Sequence, residues 1–275
     1  MEMTNFGGIL RDTDQIIDGH LLGSKDGPKR FRHKRVALDL KQVPRGFNAQ
    51  VMLGDLIKQI RDNLENPSAG RSNENWREES KRDYHPKNKS NETRLERNIV
   101  KALKKAERFD WWNQMPIASG LAGKHADRRR AIDLVHRRTR QENHYDFVEL
   151  KVDSDTPLFA LMEIVLYGLV YLVLRKDGDR LSEISKAARV FSAQGVALRV
   201  LAPEDFFKGF ALGWLENELN HALPLLLKEE DFSGLLTMNV SSHWPSQLKK
   251  WDESILADDS RLLSCLADWQ TAFPQ

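Results

Sequence analysis

Phe147-Val148-Glu149-Leu150-Lys151-Val152 is a strand-like run that carries an acid and an ammonium group inside an apolar alternation. Residues two apart on an extended strand share a face, so Glu149 and Lys151 project together while Val148, Leu150 and Val152 project the other way. Upstream, Ala131-Ile132-Asp133-Leu134-Val135 is a second such run with an acid at its centre. Pairing of the two runs would set Asp133 beside Glu149 and Lys151. Two carboxylates and a lysine at the edge of a small sheet suit a hard divalent cation and a positioned water.

Around these runs the chain alternates in a definite order. Thr156-Pro157 supplies a cap residue with proline at the first helical position, which predicts a helix that ends before Asp177-Gly178. Its apolar stretch, Leu158 to Leu174, is about one turn short of the roughly 20 residues a bilayer needs. Glu163 sits near its centre, where lipid would penalise a charge, so a buried core helix is expected rather than a membrane span. Glu163 and Tyr167 share one face of it. A helix over 181–194 and a buried strand from Val196 to Leu201, closed by Pro203, come next. On the other side, Leu95, Ile99, Ala102, Leu103 and Ala106 form a helical stripe that Asn91 can cap, followed by a short strand from Gln114 to Ala118. The strands themselves are expected at 131–137 and 146–152.

Outside residues 91–203 the patterning is weaker. Residues 1–90 read as a charged N-terminal extension with a basic cluster, Pro28-Lys29-Arg30-Phe31-Arg32-His33-Lys34-Arg35, a strand from Val36 to Leu40, and a helix from Asn48 to Leu64. That helix has Val51, Leu53, Ile57 and Ile60 as its stripe. Asn66 to Ser90 is polar and aperiodic, which predicts a solvated linker. Residues 204–275 read as mostly helical, over 204–227 and 245–270, with Trp214, Trp244, Trp251 and Trp269 available for packing.

Composition bounds the function. Lys+Arg exceed Asp+Glu by 42 − 40 = 2, so an anionic partner has to be met by a local patch. The single cysteine, Cys265, excludes an internal disulfide framework and Cys-rich metal sites, as expected of a cytoplasmic protein. Met1-Glu2-Met3-Thr4-Asn5 has no basic start and apolar core, so no secretory signal is expected. The histidines show no HExxH or His-x-x-x-His spacing, and Gly120-Leu121-Ala122-Gly123-Lys124-His125 lacks the first glycine and the Ser/Thr of a phosphate loop. Asp39-Leu40-Lys41 is a decoy for Glu149-Leu150-Lys151, with no acid-bearing strand before it and no long helix after it.

The order helix, three strands, helix, strand with these acids resembles the PD-(D/E)XK nuclease superfamily. The resemblance spans about residues 91–202 and implies an α/β (α+β) fold: a restriction-endonuclease-like α-β-β-β-α-β core with a mixed central sheet. Asp133 matches the motif aspartate, with Ile132 in place of the family's proline, and Glu149 and Lys151 match the Glu-x-Lys. Met162-Glu163-Ile164-Val165-Leu166-Tyr167 looks like the Gln-x-x-x-Tyr element of RecB-type members, with Glu163 in place of glutamine, which brings Glu163 and Tyr167 to the rim of the site. The first-helix glutamate corresponds to Glu92, which lies over the apolar stripe, with Glu96 as its alternate.

The resemblance implies a metal-dependent hydrolysis of phosphodiester bonds in DNA. Mg²⁺ or Mn²⁺ would be held by Asp133, Glu149 and the Leu150 backbone carbonyl, with Lys151 orienting water or stabilising charge. Lys124, Arg128, Arg129, Arg130, Arg137 and Arg138 bracket the Asp133 strand and would meet the nucleic-acid backbone. Trp111 and Trp112 could stack bases, against the ordinary reading of core packing. The competing expectation is a nucleic-acid-binding or scaffold protein that keeps this fold without turnover.

Overall fold

The computed structural model describes residues 8–23, 30–64, 73–79, 90–122, 130–138 and 143–274. Helices α1 (Thr13–Leu22), α2 (Lys34–Asp39), α3 (Ala49–Leu64) and α4 (Asn91–Lys105) precede three strands, β1 (Trp111–Pro116), β2 (Ala131–Arg137) and β3 (His144–Leu150). Then come α5 (Pro157–Lys176), the short α6 (Glu183–Lys186), β4 (Gly195–Leu201), α7 (Glu204–Phe207), α8 (Gly213–Glu229), β5 (Thr237–Pro245), α9 (Asp259–Ser264) and β6 (Trp269–Thr271). The fold is mixed α/β, and α4-β1-β2-β3-α5-β4 follows the order read from the sequence.

The six strands form one sheet in the order β1-β2-β3-β4-β5-β6. β1 and β2, and β2 and β3, pair antiparallel; β3, β4 and β5 run parallel, and β6 returns antiparallel on β5. Phe147, Val196, Leu198, Val200 and Val240 pack with α5, behind which α3 and α8 complete a single core. Leu134, Val148, Leu150 and Leu201 pack with α4, α9 and the chain between β5 and β6. Helices therefore cover both faces.

α5 forms where Thr156 accepts the Phe159 N–H through Oγ1 at 3.1 Å, with Pro157 opening the helix. It is apolar on all sides because protein surrounds it on all sides, most residues from Pro157 to Leu174 being buried. Gly168 lets it approach the sheet: a Cβ there would meet Leu198 Cδ1 at 2.7 Å.

Several expectations are corrected. Residues 36–40 belong to α2 and its end, not to a strand, so Asp39-Leu40-Lys41 terminates a helix. Ser90 rather than Asn91 caps α4, its Oγ accepting from Thr93 N–H at 3.3 Å. In α3, Met52, Leu53, Leu56, Ile57 and Ile60 are buried while Val51 faces solvent. Residues 181–194 form only the single-turn α6 and one 3-10 turn, Arg189–Ser192. The expected 245–270 helix is broken into a 3-10 turn, α9 and β6, and Thr237–Pro245 adds an unanticipated parallel strand.

Of the expected linker, residues 66–72 and 80–89 lie outside the described residues, and the described stretch 73–79 is not all solvated. Trp76 is fully buried; its ring packs at 5.4–6.1 Å from Phe191, Tyr171 and Phe147, and its backbone N–H donates to Pro116 O at 2.8 Å. One large aromatic supplies enough apolar area to dock a segment whose neighbours are polar.

Candidate active site

β2 and β3 stop pairing at Leu134 and Val148, one residue before Asp133 would face Glu149. Beyond that point the Leu150 N–H, which would otherwise seek a carbonyl, donates to Asp133 Oδ2 at 2.9 Å. On the other flank of β2, register sets Gln114 opposite Asp133, but the pair is skipped and the ladder resumes at Met115 and Ile132. Gln114 adopts φ 49°, a left-handed conformation that costs a non-glycine residue about 1 kcal/mol. Its side-chain amide donates to Asp133 Oδ1 at 3.2 Å and to Glu96 Oε2 at 2.8 Å.

Lys151 leaves β3 on the face shared with Glu149 and lies under the start of α5. Its ammonium is 2.8 Å from Glu149 Oε1, 3.2 Å from Glu163 Oε2 and 3.6 Å from Asp155 Oδ2. Tyr167, one turn after Glu163 on α5, donates its hydroxyl to Glu163 Oε1 at 3.1 Å. Glu149 Oε2 is buried and, among the described residues, accepts no hydrogen bond. Asp133 and Glu163 are partly exposed, whereas Glu149 and Lys151 are 5% and 6% exposed, so the cluster opens to solvent on the Asp133 side.

The two α4 glutamates divide the work. Glu92 Oε1 accepts from Ser154 Oγ at 2.6 Å and from Val152 N–H at 3.3 Å, holding the turn that follows β3. Glu96, 2% exposed, is fixed by Arg97 at 3.5 Å, by Asn113 and by the Gln114 amide that also holds Asp133. Glu96, the alternate, therefore has the hydrogen-bonded link to Asp133.

Among the described residues these acids outnumber the cations beside them. Burial pushes Asp133 up to about 7, with Glu163 and Glu92 adding to it against Lys151 and the Leu150 N–H. Burial and the charge of Asp133 push Glu96 up to about 8. Glu149 lies well above the usual carboxylate range, first from burial and then from Asp133. Glu163 stays below that range despite its burial, because Lys151 and its hydrogen bonds favour the anion. Burial lowers the Lys151 pKa, but the surrounding Glu149, Glu163 and Asp133 more than reverse this and raise it well above normal. Tyr167 is pushed up by burial and by Glu163. Burial, and then the mutual repulsion of the carboxylates, raises the proton affinity of Asp133, Glu96 and Glu149.

Comparison of the chain with protein-family models, with curated proteins and with solved structures finds no match. The site is therefore read from its own chemistry. Its candidate metal donors are all oxygen: the Asp133 and Glu149 carboxylates, with the Leu150 carbonyl between Glu149 and Lys151 in sequence. Among the described residues, no three His, Cys, Asp or Glu side chains are gathered tightly enough to hold a metal as they stand. Lys151 currently balances Glu149 and Glu163.

The basic residues around Asp133 have different fates. Lys124, Arg128 and Arg129 lie outside the described residues. Arg138 is engaged by Asp146 through two contacts of 2.5 and 3.0 Å, and Arg137 lies 6.0 Å over Trp112. Arg130 is partly exposed, and its charge acts on Tyr167. Trp111 and Trp112 are 4% and 7% exposed, so both pack in the core, Trp111 stacking on His136 at 4.2 Å. Gln114, Asp155 and Phe159, whose ring lies 5.8 Å from the Lys151 ammonium, were not singled out in sequence. Only Asp155, four residues after Lys151 in an Asp-Ser-Asp turn, carried a local signal.

Proposed function

We propose that the protein is a metal-dependent nuclease hydrolysing phosphodiester bonds in DNA, of the PD-(D/E)XK kind that its sequence resembles. The observation that carries this reading is the juxtaposition of Asp133, Glu149 and Lys151 where β2 and β3 part, with Glu149 Oε2 buried and without a donor among the described residues. A surplus of buried carboxylate with an orphaned oxygen suits a cation, and an all-oxygen donor set suits Mg²⁺ or Mn²⁺. Asp133, Glu149 and the Leu150 carbonyl would hold it. Such an ion supplies neutralising charge to a phosphate and acidifies water.

The chain's own groups do the rest. Lys151, held by Glu149 and Glu163, stabilises negative charge developing on the phosphate oxygens. Gln114 keeps the Asp133 carboxylate oriented, and Glu96 anchors Gln114. Tyr167 fixes the Glu163 carboxylate so that Lys151 keeps one position. The test is cleavage of DNA in Mg²⁺ or Mn²⁺ by wild type, Asp133→Ala and Lys151→Ala. Cleavage by wild type alone is the expected result; equal rates in all three would remove the proposal.

A second reading, a nucleic-acid-binding scaffold without turnover, is favoured by one observation: the Lys151 ammonium already bridges Glu149 and Glu163 as a structural ion-pair network would. Calorimetric titration with Mn²⁺ separates the two. Binding that Asp133→Asn weakens supports the nuclease, and no binding with no cleavage supports the scaffold.

A further inference from the structure

Beyond the carboxylate site, the basic stretch Arg30–Arg35 has a fixed place in the fold. Arg30, His33, Lys34 and Arg35 are exposed and Arg32 is partly buried. Asp18, itself 5% exposed, accepts the Arg30 N–H at 2.7 Å and the Phe31 N–H at 2.8 Å. Phe31 is fully buried, and its ring stacks on Phe159 at 6.0 Å between centroids. The cations therefore stand on a clamped backbone and not on a loose tail.

Phe159 connects this stretch to the site. The Arg32 guanidinium lies 4.5 Å over its ring, and the Lys151 ammonium lies 5.8 Å from the same ring. Burial lowers the Arg32 pKa, opposed first by Asp14 and then by Glu163 and Asp155, the latter two flanking Lys151 along with Glu149. Lys34 and Arg35, further out, form no ion pair among the described residues. Positive charge thus runs outward from the Lys151 side of the cluster, with Asp14 near Arg32 and Asp18 near Arg30, to Lys34 and Arg35, which have no acid partner among the described residues.

We propose that Arg30, Arg32, Lys34 and Arg35 form a phosphate track that receives the DNA backbone beside the Asp133/Glu149/Lys151 site, with Arg32 nearest the acids. The inference rests on the nuclease reading for what lies at the track's inner end, but its binding is separately measurable. A polyanion with evenly spaced charges fits a row of fixed cations. A membrane surface fits less well, because a surface-binding basic segment presents its apolar side chains outward, and here Phe31 and Ala37 are buried and Val36 and Leu38 are only partly exposed.

The test measures anisotropy of a labelled DNA duplex of about 20 base pairs on the full chain, without divalent cations, between about 50 and 200 mM salt. The triple variant Arg30→Ala/Lys34→Ala/Arg35→Ala spares Asp18, Phe31 and every acid of the site. Its plot of log affinity against log salt should be shallower by about 0.9 per lost phosphate contact, or roughly 3 in all. Should the triple variant melt early, Lys34→Gln/Arg35→Gln serves instead, with a change of roughly 2. An unchanged slope, or no DNA binding by wild type, overturns the track. So does loss of binding to phosphatidylserine vesicles with the DNA slope intact. A reduced slope in a protein that never cuts DNA keeps the track and rejects the nuclease; cleavage with an unchanged slope does the reverse.

Discussion

Asp133 Oδ2 accepts the Leu150 N–H at 2.9 Å, so a side chain of β2 takes the place of a backbone acceptor for β3. The bond ties the acid to the peptide between Glu149 and Lys151, and it makes strand divergence and site geometry one feature. Asp133→Ala should leave that amide without its partner and cost about 1–3 kcal/mol. Asp133→Asn removes a carboxylate that burial disfavours and keeps an acceptor for the Leu150 N–H, but sets its amide NH2 against the Gln114 donor. Its melting temperature should therefore lie between wild type and Asp133→Ala while DNA cleavage falls at least about 100-fold. Thermal melts and cleavage rates of the two variants check this; equal activity in Asp133→Asn would contradict the role of the charge.

Lys151 is the cation nearest three acids. Lys151→Met should cost about 3–5 kcal/mol by leaving Glu149 and Glu163 buried without it. Adding Glu149→Gln should restore a substantial part of that loss without restoring cleavage. Denaturant titrations of both singles and the double variant give the coupling.

Gln114 is held at φ 49° to bridge Glu96 and Asp133. Gln114→Gly relieves the backbone and deletes the amide, so stability should stay within about 1 kcal/mol of wild type. Cleavage should fall about tenfold or more, with an altered pH profile because both acids lose a donor. A Gly variant with wild-type rates and pH dependence would reduce Gln114 to a structural turn.

Glu216 on α8 is 5% exposed, accepts the Ser242 N–H at 2.7 Å, and is pushed by burial up to about 7. Its folded pKa exceeds its unfolded value near 4.5, so the folded chain binds more protons between those limits. Stability from this group is therefore complete at about pH 4.5, falls as pH rises through about 7, and is lost above. Glu216→Gln keeps the acceptor without the ionisation and should gain about 1–3 kcal/mol at pH 8 but little at pH 5. Melting temperatures at the two pH values test the sign.

Trp76 docks residues 73–79 on the core. Trp76→Ala should cost about 3–5 kcal/mol, as for other fully buried aromatics. Protease sensitivity near the replaced residue should rise with it, whereas a solvated linker would show neither change.

How much of this was legible depended on the range of the interaction. Glu149 and Lys151 share a face because strand periodicity is local, and Thr156-Pro157 announces α5 through its own cap and ring. Thr237–Pro245 escaped notice because its alternation includes polar Asn239, Ser241 and His243, and its partner β4 lies across the whole of α8. Periodicity also placed Glu92 over the apolar face of α4. It could not say that Glu92 would meet the turn after β3, or that Glu96 would lie against β1 beside Asn113.

The order of helices and strands from α4 to β4, and the acids and lysine they carry, follow from the chain alone, because caps, turn residues and hydrophobic period act over a few neighbours. That Asp133 reaches Leu150, that Gln114 joins Glu96 to Asp133, and that Arg32 comes to rest on Phe159 beside Lys151 were decided by packing. Those pairs are far apart in sequence, and only the burial of the surrounding apolar surface fixes the distances between them.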